Sequence, residues 1–138
     1  MRAVLLLLTL CLFTIPMAGA SDPSSPGREA IIEMLTKPKA WSVYIEHAGG
    51  EKPSNHAGVQ HWKFFRRGSE VVGRTMQLAS GYNGELKVIV RDDGFDFERC
   101  CMYPSNYPMT SVYFDPSDKT YPFKRSNTPQ KWWLSPEQ

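Results

Sequence analysis

Between Trp41 and Arg125 apolar and polar residues alternate with a period of two, the signature of strands with one buried face, and turn-forming clusters interrupt the alternation. Trp41, Val43 and Ile45 alternate with Ser42, Tyr44 and Glu46. Beyond a Gly49-Gly50 loop, Trp62 and Phe64 alternate with His61, Lys63 and Phe65. Residues 70–78 form a third candidate strand, whose facing is left open because Val71 and Val72 are both apolar. Tyr82-Asn83-Gly84 is a hairpin turn leading into Leu86, Val88 and Val90 inward against Glu85, Lys87 and Arg91 outward, with Ile89 the exception. After the Asp92-Asp93-Gly94 turn, Phe95 and Phe97 face inward and Asp96 and Glu98 outward. Residues 109–114 and 121–125 are shorter candidates, and Pro122 confines the last to a sheet edge.

Ahead of the strands the period is helical. Ser25 is the expected N-cap, Pro26 the first helical residue and Glu29 a favourable first-turn charge, with Ile31, Met34 and Leu35 on one face, Ile32 at its margin and Pro38 as the stop. The pattern predicts a helix over about residues 26–37, strands over about 41–125 and a tail over 126–138. The fold class expected is mainly β, or α+β: an antiparallel meander of six or seven strands with one N-terminal helix. Two shapes satisfy it, a small barrel of the lipocalin or avidin type and a strongly curved sheet wrapped on the helix as in cystatin-like folds; the barrel is favoured.

Residues 1–20 change the picture of where the chain works. Arg2 precedes an apolar run from Ala3 to Ile15, and Ala18-Gly19-Ala20 offers small residues for a signal peptidase, so cleavage before Ser21 and export to a periplasm or extracellular space are expected. The apolar run is too short to span a bilayer, so no membrane span is expected in the mature chain. Cleavage leaves residues 21–138, the size of one β-rich domain, and removes only Arg2 from the 16 basic residues that face 14 acidic ones. Such a near-neutral balance argues against nucleic acid, even though Lys63, Phe64, Phe65, Arg66 and Arg67 mix basic and aromatic side chains.

Chemistry-bearing clusters are sparse. Of the three cysteines Cys11 lies in the leader, and Cys100 and Cys101 are adjacent, so they supply no ordinary intrachain staple; on an unbroken strand they point to opposite faces. They are thiol candidates, Cys101 as a small core residue and Cys100 as an exposed or partner-linked thiol. His47, His56 and His61 lack metal-ligand spacing, and Asp92, Asp93, Asp96 and Glu98 do not follow a calcium-loop grammar. Neither a metal nor a cofactor is expected. With no nucleophile motif or phosphate loop present, the sequence leans away from an enzyme.

The aromatic residues carry the functional expectation. Trp41, Trp62, Phe64, Val88, Phe95 and Phe97 share inward parity, so they fill a core or line a ligand cavity, and Arg99 follows Phe97 with the same parity. A charge facing a closed core needs a carboxylate, a bound anion or the solvent at a strand end. Trp132 and Trp133 form a second cluster, expected to pack back over a barrel end or to meet a partner. Two functions follow as expectations. The first is an exported, non-enzymatic module that accommodates an apolar or amphipathic small molecule. The alternative is a cell-envelope interaction or inhibitor module acting through residues 49–55, residues 103–107 and the tryptophan pair.

Overall fold

The computed structural model describes residues 24–47, 50–75, 84–98, 111–125 and 130–138. They form one helix, α1 (Arg28–Thr36), followed by β1 (Ala40–His47), β2 (Gly58–Arg67), β3 (Glu70–Thr75), β4 (Glu85–Val90), β5 (Gly94–Phe97), β6 (Val112–Phe114), β7 (Phe123–Arg125) and β8 (Gln130–Glu137). Each strand pairs antiparallel with the next, and β8 returns to β1, closing an eight-stranded up-and-down barrel. Closure answers the choice between the two shapes and leaves no sheet edge.

The closing strand lies in the stretch expected to be a tail. Pairing runs from Ala40 opposite Glu137, through Val43 opposite Leu134, to Glu46 opposite Lys131. Its alternation is hidden because Trp133 faces outward yet is buried, its indole donating to the Glu51 carbonyl oxygen at 3.2 Å. Pro122 likewise does not mark an edge: it precedes β7, and its carbonyl oxygen accepts from the Asp115 N–H at 2.8 Å.

The helix starts later than expected. Gly27, not Ser25, is the N-cap, with φ of 86°, a conformation open to glycine. Gly27 has no side chain to cap with, so Asp92 serves from the β4–β5 turn: its carboxylate accepts from the Arg28 N–H at 2.9 Å and its carbonyl from the Gly27 N–H at 3.0 Å. Ile31, Ile32 and Leu35 are buried against the barrel, with Met34 partly so. The Trp41 indole donates to the Leu35 carbonyl at 2.9 Å, and Arg66 meets Glu29 at 2.8 Å, which holds α1 across one barrel end.

Inside, the expected parity is present. Trp41, Val43, Trp62, Phe64, Val88, Val90, Phe95 and Phe97 are buried in one core with Val71, Val112, Phe123 and Leu134. The open question at β3 resolves by register: Val71 pairs with inward Val88, whereas Val72 pairs with Lys87 on the outer face and is nevertheless buried. Ile89, the exception in β4, is exposed on the outside.

Candidate functional site in the barrel interior

From the helix upward the barrel is filled by aromatic rings. Trp41 meets Phe123 at 5.5 Å between centroids, Phe123 meets Phe95 at 5.7 Å, and Phe95 meets Phe64 at 5.4 Å and Phe97 at 5.5 Å. The column continues from Phe97 to Trp62 at 5.0 Å and to Trp132 at 5.8 Å. Gly73 gives these rings room: a Cβ there would stand 3.0 Å from Phe64 and 3.2 Å from both Phe97 and Trp62. The lining candidates Trp41, Trp62, Phe64, Val88, Phe95 and Phe97 all belong to this one packed core. Phe97 carries the column to the level of Trp132.

At that level the four tryptophans of the chain differ in one respect. Trp41 donates to Leu35, Trp62 donates to the Gln60 side-chain oxygen at 3.0 Å, and Trp133 donates to Glu51. The Trp132 indole N–H is buried without an acceptor. Trp132 is on the inner face, opposite Ile45 on one side and Arg125 on the other. The tryptophan pair is thus split between the two faces of β8, and neither indole forms an exposed patch.

Arg125 shares the inward parity of Phe123 and is only 4% exposed. Its Nε has no hydrogen-bond partner, and among the described residues no carboxylate forms an ion pair with it. The charge has no acidic neighbour elsewhere in the gaps either: all acidic residues except Asp22 lie within the described residues, and stretches 48–49, 76–83, 99–110 and 126–129 contain no Asp or Glu. Burial accordingly pushes the Arg125 pKa down from its ordinary value, whereas the Glu85 carboxylate hydrogen-bonded to Arg67 raises that of Arg67. Arg125 and Trp132 are cross-strand partners, which places their Cβ atoms roughly 5 Å apart. Among the described residues the inner wall therefore carries a buried N–H without an acceptor on each of two paired side chains, one of them cationic.

Arg99, Cys100, Cys101 and residues 103–107 lie outside the described residues. Of the loop candidate 49–55, Gly50 and Glu51 lend their carbonyls to Lys131 and Trp133 on the outer face of β8. His61 faces outward, as its parity requires, and shares Glu137 with Ser42 at 2.5 and 2.6 Å. Among the described residues no group of three His, Cys, Asp or Glu gathers in a metal-holding arrangement. The acidic turn is spent on structure, Asp92 capping α1 and Asp93 and Asp96 pairing with Arg91 at 3.0 and 2.6 Å. The basic cluster is likewise partnered: Lys63 reaches the Pro38 carbonyl, Arg66 meets Glu29, and Arg67 and Arg74 meet Glu85. An open surface groove of about 380 Å³ beside Pro26, Phe114 and Pro116 is bordered by those same committed aspartates.

Fold and site together define a closed eight-stranded antiparallel barrel, capped at one end by a helix, with a buried cationic position on its inner wall. No protein-family model, curated protein or solved structure matches the chain.

Proposed function

We propose that this chain is an exported, non-enzymatic binding module whose barrel accommodates an apolar or amphipathic small molecule at the end opposite α1. The observation that carries the reading is Arg125, a buried guanidinium without a carboxylate on an inner wall otherwise built of Trp132, Phe97, Trp62 and Ile45. A desolvated charge is unfavourable unless something pairs with it, and a ligand that does so converts a liability of the free protein into affinity. The packed aromatic column, which takes in Trp62 and Phe97, leaves the ligand the part of the interior beyond it, at Trp132 and Arg125. Export rests on the leader: Arg2, the apolar run and Ala18-Gly19-Ala20.

Native mass spectrometry of the protein purified from its own compartment tests both halves. The expected species begins at Ser21 and carries a lipid-sized or smaller organic mass that solvent extraction removes. A chain retaining Met1 refutes export. A chain that leaves its compartment bare, and takes up no apolar or amphipathic compound when offered one, refutes binding.

A further inference from the structure

Arg125 and Trp132 together specify more than a hydrophobic site. We propose that they form a receptor for a single carboxylate group, so that the ligand of the barrel is an organic acid with an apolar body. This assignment rests on the ligand-binding reading above and names its chemistry.

A buried indole N–H and a buried guanidinium Nε each lack an acceptor, and they sit on residues paired directly across β7 and β8. In a native barrel such groups are normally satisfied, as the other three indoles here are. Both orphaned groups are donors, so their common complement has to be acceptor-only. An alcohol or primary amide brings a donor of its own into a site that already has two. A carboxylate brings two oxygens and no hydrogen, and a guanidinium is the side chain that best matches its planar geometry.

Charge selects among oxyanions. Arg125 supplies one positive charge, and the nearest described basic residues on β7 and β8, Lys124 and Lys131, stand on the opposite face parity. Lys124 is moreover engaged by Asp115 and Asp118 at 2.9 and 2.7 Å. Among the described residues a monoanion balances Arg125, whereas a phosphate monoester dianion would exceed that one charge. The body of the ligand is apolar because Ile45, Phe97 and Trp132 surround the head-group position.

Three probes of equal chain length separate the possibilities: octanoate, octanol and octyl phosphate, each titrated calorimetrically into the chain beginning at Ser21, with Arg125→Met and Trp132→Phe as variants. Octanoate is expected to bind roughly tenfold to a hundredfold more tightly than octanol, the range of a charge-assisted hydrogen bond to a buried partner. Arg125→Met should abolish that preference, with a cooperative urea transition showing that the variant is folded. Trp132→Phe should reduce the preference by a smaller factor. Equal binding of octanoate and octanol, or a preference unchanged in Arg125→Met, overturns the carboxylate assignment and leaves the ligand-binding reading standing. Tighter binding of octyl phosphate than of octanoate overturns it in favour of a dianionic head group. Failure of all three probes to bind removes the assignment and counts against the ligand-binding reading with it.

Discussion

Replacing Arg125 by methionine should make the ligand-free protein more stable, which is unusual for a buried position. Arg125 is 4% exposed, its Nε has no acceptor and no described carboxylate meets it, so folding strips water from the Nε–H of a cation and supplies no acceptor in return. Methionine keeps most of the aliphatic stem that packs against the wall and removes only the charge. Replacing buried ionic groups by apolar side chains of similar volume is often neutral or stabilising by about 1–4 kcal/mol, and a charge without a partner has no Coulombic gain to lose. We expect about 1–3 kcal/mol for Arg125→Met, the lower part of that range, because a guanidinium is the most weakly hydrated of the cationic side chains. For a chain of this size that is a rise in Tm of roughly 3–6 °C per kcal/mol. The assay is urea unfolding of both proteins from Ser21 onward, followed by tryptophan fluorescence, with Arg125→Lys as a control that retains the charge and gains nothing. Adding octanoate should narrow the difference, since only the protein that binds it is stabilised by mass action. A loss of 1 kcal/mol or more in Arg125→Met without ligand would refute the reasoning, because it would mean that the guanidinium is satisfied within the protein.

Other parts of the account are open to test. Gly94→Ala would drive a Cβ to within 2.0 Å of the Val112 carbonyl oxygen, so β5 and β6 cannot keep their spacing; the expected loss is about 3 kcal/mol or more, read from denaturant midpoints and soluble yield. Trp41→Phe removes the hydrogen bond to Leu35 and opens space in the ring column, costing about 2–4 kcal/mol and loosening α1, which hydrogen exchange along residues 28–36 would report. Asp115, hydrogen-bonded by the Ser117 hydroxyl, the Lys124 ammonium and the Ser117 N–H, is held well below the usual carboxylate range. Its contribution is therefore complete above the unfolded-state pKa of about 3.9 and lost as pH falls below it, so Asp115→Asn should flatten the acid limb of the stability profile and leave its shape above pH 6 unchanged.

Much of this fold was legible because a strand with one wet face advertises its parity. β1, β2, β4 and β5 each alternate, and the residues read as inward are those found in the core. β8 was not legible because its outer face is covered as well: Trp133 lies under Glu51, a contact across 82 residues that turns an alternating strand into an apolar run. The start of α1 was misplaced for a related reason, since the group that caps it, Asp92, is 64 residues away. β6 and β7, at three residues each, are too short to show a period. The buried cation illustrates both the reach and the limit of parity. Arg99, which continues the clear Phe95–Phe97 alternation, lies outside the described residues; among those, the inner wall carries Arg125, whose parity with Phe123 is readable in the sequence but whose isolation is not. No described carboxylate pairs with Arg125: Glu29, Glu70, Glu85, Asp93, Asp96, Asp115 and Asp118 each pair with another Lys or Arg, and Glu137 accepts from Ser42 and meets His61.

The central claim, that the inner wall presents two donors awaiting one acceptor, is tested most directly by the indole region of a 1H–15N correlation spectrum. The chain has four tryptophans, so four indole cross-peaks are expected, and the one missing from Trp132→Phe is Trp132. The account predicts that octanoate moves this peak downfield, as its N–H gains a charged acceptor, while octanol at equal occupancy does not and Trp41, already bonded to Leu35, stays in place. A Trp132 peak that octanoate leaves unmoved at saturation would contradict it.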